Sequence, residues 1–183
     1  MNELANFCYN VPGESIYGEL TSGSINKLLE HLELKKFSSL HILDIGSGSG
    51  VSLCNIASFF HNFKCYLVGI EVSQLRAQIS REIIPKVKPK NVVDWNILEE
   101  EVLNMVNLPL VEISFSFDKA FPKNLMEHIV ELQIKCKSLK YVISSHSKKY
   151  YYLSAHWTEI VKIPCRQKGS GNAMLMYVFK KKL

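Results

Sequence analysis

The stretch "HILDIGSGSGVSL", residues 41–53, is an apolar run that ends in three alternating glycines, Gly46, Gly48 and Gly50. The run reads as a strand and the residues after it as the start of a helix, so the glycines form a strand-to-helix turn. Glycine permits positive φ there and lets a ligand approach the backbone closely. The N–H groups of the helix start face the same crevice. The dinucleotide fingerprint G-x-G-x-x-G is not matched. The pattern is D-x-G-x-G-x-G, with Asp44 two residues before the first glycine. A carboxylate in that place repels a pyrophosphate and welcomes a ligand with a cationic end.

Around this turn the chain alternates β-branched apolar runs with amphipathic stretches, the signature of an α/β sheet. Strands are expected at "HILDI", "CYLVGIE", "NVVDWNI", "VEISFSF", "KYVISS", "TEIVKIP" and "AMLMYVF". Helices are expected at 50–60, 73–84, 98–106 and 123–135, with another at 22–35 before the first strand. The last two strands follow each other across "CRQKGSGN", where Gly169, Gly171 and Asn172 suit a hairpin turn. Five strand-helix units closed by a hairpin give a seven-stranded, mostly parallel sheet with an antiparallel end. A nicotinamide-binding domain would continue into a parallel sixth strand.

At 183 residues, 47% hydrophobic and 21% charged, the composition is that of one globular domain. Residues 1–36 are expected to form a lid and leading helix, and 37–183 a Rossmann-like core. No apolar run is long enough to span a membrane, and the acidic start "MNELANFCYNVPGES" does not read as a secretory signal. The five cysteines are scattered without metal-ligand spacing, so they read as reduced thiols of an intracellular protein, and no metal is expected. Net charge is +5. Lysines cluster at Lys86, Lys88 and Lys90 and again at Lys180, Lys181 and Lys182; either group reads as solvated surface or as a contact for an anionic partner such as DNA.

The second strand ends in "LVGIE", placing Glu71 about 20 residues after the glycines, where an acid receives both hydroxyls of a ribose. A nucleoside with a cationic tail and no phosphate is S-adenosylmethionine, and loop, acid and tail together predict a methyltransferase-like fold. Asp44, Gly46, Ser47, Gly48, Gly50, Glu71 and Val72 are the expected cofactor contacts. At the end of the third strand Asn96 is expected to meet the adenine amino group and Ile97 its face, with Trp95 and Asp94 as rivals.

Upstream lies "SIYGELTSGSINKLLEHL", in which Tyr17, Gly18 and Glu19 precede a helix leading to the glycine loop. With "LDIGSGSG", "GIE", "SFDKAF" at 116–121, the "VISSHS" strand and "SAHW" at 154–157, the chain resembles the non-SET histone lysine methyltransferases known as disruptor of telomeric silencing. The resemblance implies a class I fold, S-adenosylmethionine as cofactor, and a histone lysine in the nucleosome as acceptor, hence a nuclear location. Tyr17, Glu19 and Thr21 would then cover the methionine end of the cofactor. Where the family carries an Asn-Asn pair this chain has Phe117-Asp118, which leaves the acceptor's identity open.

Methyl transfer to an amine needs a neutral nucleophile delivered through a narrow apolar channel, with positioning and desolvation supplying the acceleration. Phe117, Phe121, Trp157 and Tyr177 are the channel candidates, with Tyr17 and Asp118 beside them. His146 and His156 are not expected to act as bases. "SHSKKYYYLS" reads as a basic, aromatic loop on the substrate side or as a solvated one. Two rivals remain: a class I methyltransferase acting on RNA, a small molecule or a non-histone protein, and a catalytically silent cofactor-binding module. The absence of an N-P-P-Y or D-P-P-Y tetrad disfavours methylation of base or glutamine amino groups.

Overall fold

The structure is a computed structural model that describes residues 18–34, 37–146, 155–169 and 173–182. Tyr17, Gly171, Asn172 and residues 147–154 of the basic aromatic loop lie outside the described residues.

Seven strands form one sheet: β1 (Ser39–Ile45), β2 (Lys64–Glu71), β3 (Val92–Glu99), β4 (Ile113–Ser116), β5 (Tyr141–Ser144), β6 (Trp157–Arg166) and β7 (Ala173–Lys181). Their order is β3-β2-β1-β4-β5-β7-β6. The first five run parallel, and β7 lies antiparallel between β5 and β6. This is the mostly parallel sheet with a terminal hairpin that the residue pattern predicts. Among the described residues the α-helices are α1 (Ser22–Leu29), α2 (Val51–Phe59), α3 (Gln74–Val87) and α4 (Lys123–Lys135). None is long and apolar enough to cross a membrane.

Alternating side chains of β1 divide the core. Leu40 and Ile42 join one apolar cluster with α1, α2 and α3, while Leu43 and Ile45 join another with α4. Both faces of the central strands are therefore covered, which is why those strands read as continuous apolar runs. Helix α2 packs against both α1 and α3, and it is apolar almost all round.

Three elements differ from expectation. The helix expected at 22–35 stops at Leu29, because the Tyr141 hydroxyl takes both backbone groups of Glu33, each at 3.2 Å. Helix α3 runs through Pro85 to Val87 rather than ending at 84. The helix expected at 98–106 is a single 3-10 turn at Val102–Asn104. Strand β3 takes Leu98 and Glu99, the first residues of that expected helix, into its ladder with β2.

Candidate active site

The site lies at the carboxyl ends of the parallel strands, where ligands bind in open α/β sheets. Gly46, Gly48 and Gly50 all adopt positive φ, at 78°, 52° and 74°. The turn is pinned to the tip of β2: Gly46 and Ser47 both donate backbone N–H to the Ile70 carbonyl, at 2.8 and 3.0 Å. It also sits against β2 at Gly69, where an added Cβ would lie 2.5 Å from Ser47 Oγ and 2.6 Å from Ile97 Cδ1. Gly69 is thus required by the loop's close approach.

Glu71 is buried at the strand tip. Its Oε2 accepts from Gly48 N at 2.8 Å and its Oε1 from Ser73 N at 3.0 Å. A carboxylate oxygen has two acceptor sites, so each keeps one for a ligand hydroxyl. Asp44, at the end of β1, is 2% exposed. Burial pushes its carboxyl well above the usual range, and the neighbouring charges of Glu71 and Glu19 add to the rise. A ligand cation would relieve that repulsion.

Glu19 is buried too. Its Oε1 accepts from Ser49 Oγ at 2.6 Å, and its Oε2 lies 2.6 Å from Lys168 Nζ. The segment carrying it runs beside the end of β6, through a bridge between Leu20 and Gln167 and a Thr21 N–H to Arg166 carbonyl bond of 3.0 Å. Thr21 is the N-cap of α1: its hydroxyl accepts from Ser24 N at 3.3 Å and donates to Ser24 Oγ at 2.9 Å. Thr21, expected to contact the cofactor, thus also fixes the start of the helix beside the crevice.

Two of the expected channel aromatics flank these loops. An added Cβ at Gly46 would lie 2.9 Å from Phe121 Cζ, and one at Gly18 would lie 2.6 Å from Phe117 Cε1. Tyr177 is level with Ser144 near the carboxyl end of β5 and stacks on Phe179, with ring centroids 6.1 Å apart.

Trp157 is a correction. Strand β6 runs parallel to β5, so its first residue falls at the opposite edge of the sheet, paired with Lys181, itself bonded to Lys140 ahead of β5. Four residues of strand separate that level from Tyr177, about 13 Å. Trp157 instead packs in the α4 cluster, with Lys181 Nζ 5.7 Å from its ring centroid.

Asp118 is a second correction. It is fully buried and accepts four bonds: from Ser116 Oγ at 2.7 Å, Ser144 Oγ at 2.5 Å, Ser145 N at 2.8 Å and Ser145 Oγ at 2.6 Å. A carboxylate so committed clamps the tip of β4 to that of β5 and is not available to a reacting group. His146 Nε2 lies 2.8 Å from the Asp118 carbonyl oxygen and completes the clamp.

Asn96 is a third. It is exposed and pairs with Val68, three residues below the Glu71 level, about 10 Å along the strand. The residue level with Glu71 is Glu99, whose Oε2 lies 3.1 Å from Arg81 Nη1. Matching the lengths of two paired parallel strands would have extended β3 to that residue. Ile97 is buried beneath the glycine loop, against the Gly69 position, rather than open to the crevice. Lys168 and Ser49, which hold Glu19, were also missed, and no local signal in the sequence marks Lys168.

The fit to a nucleoside with a cationic tail can be judged from these atoms. Ser47 Oγ is buried with no hydrogen-bond partner among the described residues. Val72, next to Glu71, is 68% exposed, an apolar side chain at a strand tip that an adenine would cover. With the free acceptor sites of Glu71 and the buried Asp44 carboxyl, whose ionised form a cation favours, the residues present suit S-adenosylmethionine.

Strand order and crevice together put the molecule among the class I S-adenosylmethionine-dependent methyltransferases. The family model described as histone methylation protein DOT1 matches residues 2–96, just over half of the chain. The chain belongs to that family, and S-adenosylmethionine is its cofactor. Solved structures show the same fold. TrmN from Thermus thermophilus is 14% identical with a TM-score of 0.68, over 92% of this chain and 51% of that one. A Listeria monocytogenes protein described as a class I S-adenosylmethionine-dependent methyltransferase is 13% identical with a TM-score of 0.65, over 94% and 64%. The bifunctional kinase-methyltransferase WbdD is 12% identical with a TM-score of 0.60; the match takes in 87% of this chain and spans only 38% of WbdD. No curated protein sequence matches the chain.

Proposed function

We propose that the protein transfers a methyl group from S-adenosylmethionine to a lysine side chain of a histone in nuclear chromatin. The observation that carries the reading is the family match across residues 2–96, which takes in both the Tyr17-Gly18-Glu19 segment and the glycine loop. When bound, the cofactor supplies an electrophilic methyl on a sulfonium. Asp44 would hold the ammonium of its methionine end, Glu71 the ribose hydroxyls and Val72 the adenine face. Phe117 and Phe121 would wall the acceptor's path and keep water out, favouring an amine that has already lost its proton. Asp118 would act only by fixing the strand tips that carry those rings.

Lysines at the opposite edge of the sheet would contact nucleosomal DNA through its phosphates. Three are already engaged: Lys88 with the Val92 carbonyl, Lys180 with Glu33, and Lys181 with the carbonyls of Gln133, Ile134 and Cys136. Lys86, Lys90 and Lys182 would therefore carry the contact.

One observation favours a second reading. If the Ala120-Phe121 that "SFDKAF" shares with the family sets the register, Phe117 takes the place of an asparagine, and an apolar ring in the acceptor's path suits another acceptor class such as RNA, a small molecule or a non-histone protein. The test is incubation with radiolabelled cofactor and, in parallel, nucleosomes, free histones, bulk RNA and buffer. Label on a histone that is lost in Asp44→Ala and Glu71→Ala supports the proposal. Label in RNA alone supports the second reading. Cofactor binding with no label on any acceptor would mean a silent module.

A further inference from the structure

We propose that Lys168 is a positioning residue for the cofactor pocket, latching the segment before α1 and the β6–β7 hairpin together over the glycine loop by holding Glu19 against Ser49. The inference rests on the reading of the crevice as a cofactor site.

The backbone already brings the parts together. Lys168 N–H donates to the Glu19 carbonyl at 2.8 Å, next to the Leu20 and Gln167 bridge. The side chains add a second layer. The two oxygens of one buried carboxylate face different segments, one bonded to Ser49 in the glycine loop and the other to Lys168 in the hairpin. Residues 149 positions apart in the chain are thus joined through both backbone and side chain. The strap is closely seated: an added Cβ at Gly18 would lie 2.6 Å from both Gln167 Nε2 and Phe117 Cε1.

The charges explain why the latch matters for a ligand. Three buried carboxylates, Asp44, Glu71 and Glu19, share the pocket. Glu71 is met by two backbone N–H groups and Glu19 by Lys168. Asp44 is thereby left as the carboxyl whose ionised form a cationic ligand favours. Without the Lys168 ammonium, Glu19 loses its ion-pair partner in the hairpin and with it the contact that holds it toward Ser49. The pocket then loses a fixed wall, and a ligand must order it on binding.

The test uses the full chain and S-adenosylhomocysteine, which shares the ammonium, ribose and adenine. By titration calorimetry, Lys168→Met is expected to raise Kd about tenfold or more, as expected when a buried carboxylate loses its charged partner. Lys168→Arg is expected to return Kd to within about threefold, since a guanidinium can still reach the carboxylate. In a Glu19→Gln background, Lys168→Met is expected to change Kd no further, because both act through one contact. An unchanged Kd in Lys168→Met, or an undiminished effect in the Glu19→Gln background, overturns the latch. Hydrogen exchange is the arm that needs no ligand: Lys168→Met should speed exchange of the amides at 18–21 and 46–50, and unchanged protection there also overturns it. If the wild-type chain binds no S-adenosylhomocysteine, the cofactor reading fails, and the exchange arm alone decides the latch.

Discussion

Asp118 separates a structural from a chemical role. Replacing it with alanine removes the acceptor for four donors at 2.5 to 2.8 Å. Ser116 and Ser144 are fully buried, so their hydroxyls are left with no solvent to turn to, at about 1–3 kcal/mol each. Ser145 is half-buried and can be hydrated, so its share is small. The total is about 3–5 kcal/mol for Asp118→Ala, the size expected for breaking a buried network. For a domain of this length that lowers Tm by roughly 2–4 °C per kcal/mol. Asp118→Asn should lose much less, about 1 kcal/mol, because the serine hydroxyls can rotate to accept from its amide. Urea unfolding of the three proteins, followed by circular dichroism, measures the series. Suppose Asp118→Ala unfolded within about 0.5 kcal/mol of wild type while transferring no methyl. The carboxylate would then be acting on substrate, and the clamp reasoning would be wrong.

Asp44 predicts how pH acts on the protein alone and on its cofactor binding. Its folded pKa lies well above that of the unfolded chain, so its contribution to stability is full below about pH 4 and is lost as pH rises through the folded value. A cationic ligand favours the ionised form, so binding should tighten over that same rise and release protons. Calorimetry in buffers of different ionisation enthalpy reads the release, and none would refute the assignment. Trp157→Ala should cost about 3–5 kcal/mol as a core truncation yet leave the Kd for S-adenosylhomocysteine within about twofold; a large loss of affinity at unchanged stability would return Trp157 to the crevice. Burial pushes the Cys54 and Cys65 thiols up to about 11, so neither should react with iodoacetamide at pH 8 until the chain unfolds, as read by mass spectrometry.

Much of this protein is legible without coordinates, for local reasons. A positive-φ turn between a strand and a helix demands glycine, so Gly46, Gly48 and Gly50 announce themselves. Continuous apolar runs mark strands covered on both faces, and a turn in place of a sixth crossover marks the hairpin. Asp44 and Glu71 follow because strand tips lie at fixed offsets from such a turn. What the sequence by itself determined is therefore the element order, the class of fold and the charged floor of the crevice. The tertiary structure alone decided which side chains meet across the sheet. Parallel pairing of β3 with the whole of β2 moved the strand tip from Asn96 to Glu99. The direction of β6 carried Trp157 to the far edge, the Asp118 carboxylate turned toward three serines, and Lys168 arrived beside Glu19. These are contacts between residues far apart in the chain. Their geometry depends on strand register and direction, which local pattern does not encode.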